Sequence, residues 1–356
     1  MKTSHKVFIN NSAEMGEVET NSIDLLITSP PYPMIEMWDM LFSNLNDEIK
    51  IALDEKDGNK AFDLMHEELD GIWRESKRVL KSGGIACINI GDATRKLHDT
   101  FQLFSNHVRI TRSFLKNGFV ELPPIIWRKP TNSPNKFLGS GMIPPNGYVT
   151  LEHEYILIFR SGTSRIMKSK SEKRYNSAFF WEERNKWFSD IWVDVKGVSQ
   201  KLNSNQKSLR RRSAAFPLEL PYRLTNMFSV YGDTVLDPFW GTGTTSIAAM
   251  ISSRNSIGYE INSKFLEIFN DKIDGIKQLS EDIIINRLDQ HIDFIDKYKK
   301  LGKDIKYNST YYTFPVITKQ EREILFYIID NYHKNKDEII LNYKKFVKKA
   351  SREEKL

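Results

Sequence analysis

The sequence predicts an α/β fold in which helices cover a mostly parallel sheet, and three observations carry that prediction. Short apolar runs recur without the polar alternation of a half-exposed strand, stretches with helical spacing lie between them, and two of the runs end in loops dense in proline or glycine. The runs fall at residues 23–27, 84–90, 154–159, 233–236 and 256–259. Residues 60–80 set Phe62, Met65, Leu69, Ile72, Val79 and Leu80 on one helical face and stop at Ser82-Gly83-Gly84, the chemistry of a helix C-cap. Residues 100–116 and 244–253 read the same way.

With 356 residues, 40% hydrophobic and 28% charged, the chain buries a substantial core, which excludes disorder over most of its length. Its size fits one large domain with insertions, or two domains. No apolar run approaches the ~20 residues of a membrane span. Met1-Lys2-Thr3-Ser4-His5-Lys6 leads into Val7-Phe8-Ile9 without a signal-peptide core, so a soluble, cytoplasmic protein is expected. A single cysteine, Cys87, excludes an intramolecular disulfide and a cysteine-based zinc site, and no other metal site is expected. Net charge is only +6, but residues 160–212 hold fourteen basic against five acidic residues, interleaved with aromatics. Such a segment suits a phosphate backbone. Residues 129–150, rich in Pro, Asn, Ser and Gly, read as a long loop. The chain divides into 1–160, a basic insertion 161–212, 213–274, and a charged extension 275–356. Apolar spacing at Ile283, Ile284, Leu288, Ile292 and Ile295, and again at Ile324, Leu325, Ile328 and Ile329, makes that extension helical.

Two loops carry chemistry. The later one, Asp237-Pro238-Phe239-Trp240-Gly241-Thr242-Gly243-Thr244-Thr245, follows a strand and opens a helix. Gly241 and Gly243 let backbone approach a ligand where open α/β sheets bind cofactors. Glu260, at the tip of the next strand, can accept hydrogen bonds from both ribose hydroxyls. Position 246 is Ser, which breaks the Gly-x-Gly-x-x-Gly pattern of a pyrophosphate loop, and an acidic strand tip repels phosphate. A ligand with an adenosine, an amino-acid tail and a cationic sulfonium fits instead, namely S-adenosylmethionine. The earlier loop is Thr28-Ser29-Pro30-Pro31-Tyr32. Its prolines fix the backbone and remove two N–H donors. Ser29 and the Pro30 carbonyl can then accept both N–H groups of an exocyclic amine while Tyr32 stacks on the ring.

Together these two motifs resemble the β class of amino-methylating DNA methyltransferases, in which the catalytic motif precedes the cofactor motif. The resemblance spans roughly residues 7–270 and extends to residues 73–84, 152–159 and 190–192 and to Ala215-Phe216-Pro217. It implies a Rossmann-like methyltransferase fold with catalytic (1–160) and cofactor-binding (213–274) parts. The implied catalytic residues are Ser29, Pro30, Pro31 and Tyr32. The implied cofactor residues are Asn11, Asp237, Pro238, Phe239, Gly241, Gly243, Thr244 and Glu260. Relatives commonly carry Gly-Asp where this chain has Asn10-Asn11; Asn11 can still bond the purine, with Ser12 sharing the role. Serine as the first residue of Ser-Pro-Pro-Tyr points to N(4) of cytosine, with N(6) of adenine as the alternative.

The resemblance also implies duplex DNA as substrate, a target base flipped from the stack, a cognate restriction endonuclease by family habit, and a monomer or homodimer. Residues 161–212 become the target-recognition region. Lys207, Arg210, Arg211, Arg212 and Arg174 are its candidate DNA contacts, while its aromatics favour a small core. Cys87, inside an apolar strand, reads as a structural thiol and not a nucleophile. Trp38 lines the base pocket or anchors its loop, and Asn132, Asn135 and Asn146 are weaker DNA candidates. The rival from another class is a DNA-binding module with an inactive site.

Overall fold

The computed structural model describes residues 1–129, 138–197, 216–335 and 338–347. Its main sheet contains β1 (Lys2–Ile9), β2 (Ile23–Thr28), β3 (Leu80–Ile90), β4 (Phe119–Arg128), β5 (His153–Ser161), β6 (Ile191–Trp192), β7 (Thr234–Asp237), β8 (Asn255–Glu260), β9 (Tyr327–Lys334) and β10 (Glu338–Lys345). They lie in the order β6-β4-β5-β3-β2-β7-β8-β1-β10-β9. The block β3-β2-β7-β8-β1 is parallel throughout. From the β2/β7 boundary, one half of the chain winds outward to β3 and the other to β8, so the strand order reverses there. That is where a crevice opens beyond the strand ends.

All five apolar runs are strands of this sheet. Every residue of β2 is buried, with Leu26 facing the cluster of Trp73, Phe114 and Ala86, and Leu25 and Ile27 facing Leu220, Leu224 and Val235. The helices on the first face are α1 (Asp39–Leu45), α2 (Asp47–Asp54), α3 (Gly58–Val79) and α4 (Asn106–Lys116); α7 (Glu219–Phe228) and α8 (Thr244–Ile251) cover the second. Cys87 is fully buried in that second layer, and burial pushes its thiol far above the usual range, so it is a structural thiol.

Several expectations are corrected. β5 is antiparallel to both neighbours, because a continuous apolar run reports burial on two faces and not strand direction. β4 contains Pro123-Pro124, and its register slips between Leu122 and Ile125, so the prolines occupy an irregularity in the ladder. Ser82-Gly83-Gly84 caps no helix: α3 ends at Val79, and Gly83, at φ +83°, lies where the β2–β3 register skips. Residues 100–104 pair with 93–97 as a hairpin, and α4 starts at Asn106.

Among the described residues, the extension from 275 is α-helical in α10 (Ile276–Lys300), which follows α9 (Lys264–Ile273), with a short 3-10 helix at Lys319–Glu323. It ends in the β9–β10 hairpin, with β10 antiparallel to β1. The overlooked signal is period-two burial of Ile339, Leu341 and Tyr343. The described part of the basic insertion, with α5 (Glu172–Asn176) and α6 (Trp181–Trp187), packs on this extension. Phe180 lies in one cluster with Ile284, Leu288, Ile324 and Phe326 and stacks on His291 at 3.8 Å. Arg287 is paired with Glu183. The favoured reading of the insertion aromatics as core holds for the buried Phe180, Trp187 and Trp192. No helix among the described residues is long and apolar enough to cross a membrane.

Candidate active site

β2 and β7 run side by side, and their carboxyl ends release the two motif loops into one crevice. Thr28 Oγ1 donates to Asp237 Oδ1 at 2.6 Å, joining residues 209 positions apart in the chain. The same carboxylate oxygen accepts the Phe239 amide at 3.1 Å, which shapes the turn after β7. Asp237 is almost fully buried, and burial pushes its carboxyl up to about 6 against these hydrogen bonds. Glu260, at the end of β8, accepts the Gly241 amide on one oxygen and the Asn262 amide on the other, both at 2.9 Å. Burial raises its carboxyl too, and the backbone amides offset part of the rise. Both carboxylates are therefore held by uncharged donors.

One pocket spans both loops. Asn11, Ser29, Pro30, Pro31, Asp237, Pro238, Phe239, Gly241, Thr244 and Glu260 line it, as the sequence anticipated. Gly243 and Tyr32 are not in the lining: Gly243 has a φ of +73°, and a Cβ there would lie 2.4 Å from Phe269, so its lack of a side chain serves the turn into α8, while Tyr32 sits behind Ser29. The sequence did not flag Asn10, Thr242, Asn262 and Phe265, nor the wall formed by Leu41 and Phe42 beside Trp38. Asn10 and Asn262 flank flagged positions, which was the available signal. The α1 wall follows Tyr32 directly, but its apolar residues resemble any core helix.

Among the described residues, the lining includes Glu68, Asp237 and Glu260 but no lysine, arginine or histidine. Such a pocket disfavours a pyrophosphate and suits a cationic ligand, and Gly241, at φ +52°, has no atom closer than 3.9 Å to a Cβ placed on it. These features fit S-adenosylmethionine.

The catalytic loop is anchored from behind. Ser29 Oγ donates to Tyr32 Oη at 3.2 Å, and Tyr32 Oη donates to Glu154 Oε2 at 3.0 Å. Asn89 Nδ2 donates to both Tyr32 Oη and Glu154 Oε2, and Lys129 Nζ bonds Glu154 Oε1 at 2.7 Å. Burial, reinforced by the Glu154 carboxylate, holds the Tyr32 hydroxyl well above the usual phenol range. Gly91 makes room for the ring: a Cβ there would stand 3.0 Å from it.

The DNA candidates fare differently. Lys207, Arg210, Arg211 and Arg212, with Asn132 and Asn135, lie outside the described residues. Arg174 is exposed on α5, next to Lys173, which reaches Asp233 at the amino end of β7. It stands at the opposite end of the strands from Ser29, and the geometry does not bring it to the site.

A reversing parallel sheet with a glycine loop at one strand end and a rigid Ser-Pro-Pro-Tyr loop at the next defines a Rossmann-like, S-adenosylmethionine-dependent methyltransferase. The family model described as DNA methylase, of the N(6)/N(4) type, matches residues 23–271. The chain is 51% identical to the Type II methyltransferase M.MthZI of Methanothermobacter thermautotrophicus over 100% of this chain and 99% of that protein. It is 53% identical to the Type II methyltransferase M.MjaI of Methanocaldococcus jannaschii over 78% of this chain and 93% of that one. A protein of Thermus thermophilus described as a putative DNA modification methylase, solved in complex with S-adenosyl-L-methionine, superposes with a TM-score of 0.59 at 30% identity, covering 75% of this chain and 92% of its own. The chain belongs to the β-class, amino-methylating DNA methyltransferases.

Proposed function

We propose that this DNA methyltransferase modifies the N(4) amine of a cytosine flipped out of duplex DNA, as the modification enzyme of a Type II restriction system. The observation that carries the reading is the Thr28–Asp237 bond, which sets the acceptors of Ser29-Pro30-Pro31 against the cofactor loop in one crevice. Serine in place of aspartate at residue 29 supports cytosine, following the family's pattern. The Type II designation of both archaeal relatives supports the restriction context.

S-adenosylmethionine, when bound, supplies a methyl group on a positively charged sulfur. The chain's own residues do the rest. Ser29 Oγ and the Pro30 carbonyl accept the two N–H groups of the amine and turn its lone pair out of conjugation, which makes nitrogen a better nucleophile. Tyr32 presents its ring to the base, and the paired prolines keep the acceptors from moving as charge develops. The N–H proton leaves after transfer, when the nitrogen is cationic, so a strong base is unnecessary. Extruding the base costs a few kcal/mol, which phosphate contacts offset. Digesting methylated DNA to nucleosides and identifying the product by mass spectrometry tests the assignment; N(6)-methyladenine in place of N(4)-methylcytosine overturns it.

A further inference from the structure

Glu154 is not in the pocket lining, yet side chains from both neighbouring strands' segments reach it. Asn89 comes from β3, Glu154 from β5, and Lys129 follows β4, so these neighbouring strands converge behind Tyr32. An ionised carboxylate only accepts hydrogen bonds, and a lysine ammonium only donates them. That asymmetry fixes the direction of every bond in the chain. Tyr32 must spend its one proton on Glu154, so Tyr32 Oη is left as an acceptor, and it takes the proton of Ser29 Oγ. Ser29 is left with only lone pairs to offer. The same carboxylate dictates the Asn89 amide: its Nδ2 sits 2.9 Å from Tyr32 Oη and 2.8 Å from Glu154 Oε2, while its buried Oδ1 has no hydrogen-bond partner among the described residues. An amide held with its oxygen unsatisfied shows how strongly the acceptor controls it.

We infer that Glu154 is a positioning residue that sets the polarity of the Glu154–Tyr32–Ser29 chain, so that Ser29 meets the target amine as an acceptor and never as a donor. The inference rests on the proposed role of Ser29 as an amine acceptor. Lys129 completes the device, because its ammonium occupies Glu154 Oε1 and directs the remaining oxygen to Tyr32.

Glu154→Gln tests it. The side chain keeps its size, but Lys129 claims the amide oxygen and turns the Nε2 donor toward Tyr32. Tyr32 then accepts from residue 154 and donates to Ser29, whose own proton faces the amine. Single-turnover methylation at saturating DNA and cofactor is expected to fall roughly a hundredfold, the scale of losing one oriented transition-state hydrogen bond, with the cofactor Kd and thermal midpoint unchanged. Adding Lys129→Met frees the Gln amide to present its oxygen to Tyr32, so the double variant is expected to recover at least tenfold over Glu154→Gln, in the range of losses that a reversed bond explains. A merely structural role predicts the reverse, a double variant no better than the single. That result, or Glu154→Gln retaining at least a third of the rate, overturns the inference. Ser29→Ala, run in parallel, separates the two readings: full activity there removes the acceptor role itself, whatever Glu154 does.

Discussion

The two ends of the central strands treat buried carboxylates in opposite ways. At the amino ends, Asp24 binds Lys81 at 2.8 Å, and Asp233 binds Arg165 at 2.6 and 3.0 Å with Lys173 at 3.6 Å. At the carboxyl ends, among the described residues, Asp237 and Glu260 are held by hydroxyls and backbone amides. For Asp233, the Arg165 guanidinium and the Val230 amide outweigh burial and hold the carboxyl below the usual range, whereas burial wins for Asp237. Carboxylates that already own a cation fasten the sheet, Asp24 to β3 through Lys81 and Asp233 to the basic insertion through Arg165 and Lys173. Carboxylates left without one are suited to a ligand that brings its own positive charge.

Five experiments sharpen or break that contrast. The largest effect is expected at the crevice itself: Ser29→Ala lowers the single-turnover rate about 10²–10³-fold, with cofactor affinity by calorimetry nearly unchanged. Next, Asp233→Ala removes the acceptor shared by Arg165, Lys173 and the Val230 amide; because Arg165 is about a third exposed and keeps Asp24 at 3.6 Å, the cost in denaturant unfolding is about 2 kcal/mol, again without altering cofactor affinity. Asp237→Asn should do the converse, weakening cofactor binding about tenfold, as loss of one charge-assisted contact implies, with little loss of stability. If Asp233→Ala weakened cofactor binding as much as Asp237→Asn, the distinction between the ends would be gone.

The pH dependence separates the ends more finely. Folding raises Asp237 to about 6, so the cost of burying its charge is absent below the unfolded value and complete above about 6. That increment of stability is lost as pH rises through the window, while affinity for a cationic ligand grows because the neutral acid offers no charge. Calorimetric titrations between pH 5 and 8 should show affinity rising and levelling, and Asp237→Asn should flatten the curve. Asp233 has the opposite sign: its folded value is depressed, so its contribution is present above the unfolded value and lost as pH falls through the folded one. The smallest effect belongs to Arg174→Ala, expected to leave DNA affinity in gel-shift assays unchanged, since its helix stands at the wrong end of the strands.

The central strands and both loops were legible because each is short and contiguous: a doubly buried strand must be apolar throughout, and proline or glycine marks its exit. β9 and β10 were hidden in a tail whose first part is a true helix. Glu154 was hidden for another reason. Its partners, Tyr32, Asn89 and Lys129, lie up to 122 positions away, and only strand order brings them together. The fate of the insertion aromatics depended on the tail that covers them. The place of Arg174 beside the amino end of β7 was not legible, because charge density says nothing about which strand end a helix reaches.

The place of β10 beside β1 has a practical consequence. The segment matched by the family model, 23–271, contains neither strand and omits β9 as well. Cut back to that segment, the molecule would expose the bare hydrogen-bonding edge of β8, whose last residue is Glu260, to any strand from another copy. Such a fragment should self-associate and foul its own crevice, so protection from aggregation comes from strands drawn from outside the signature region.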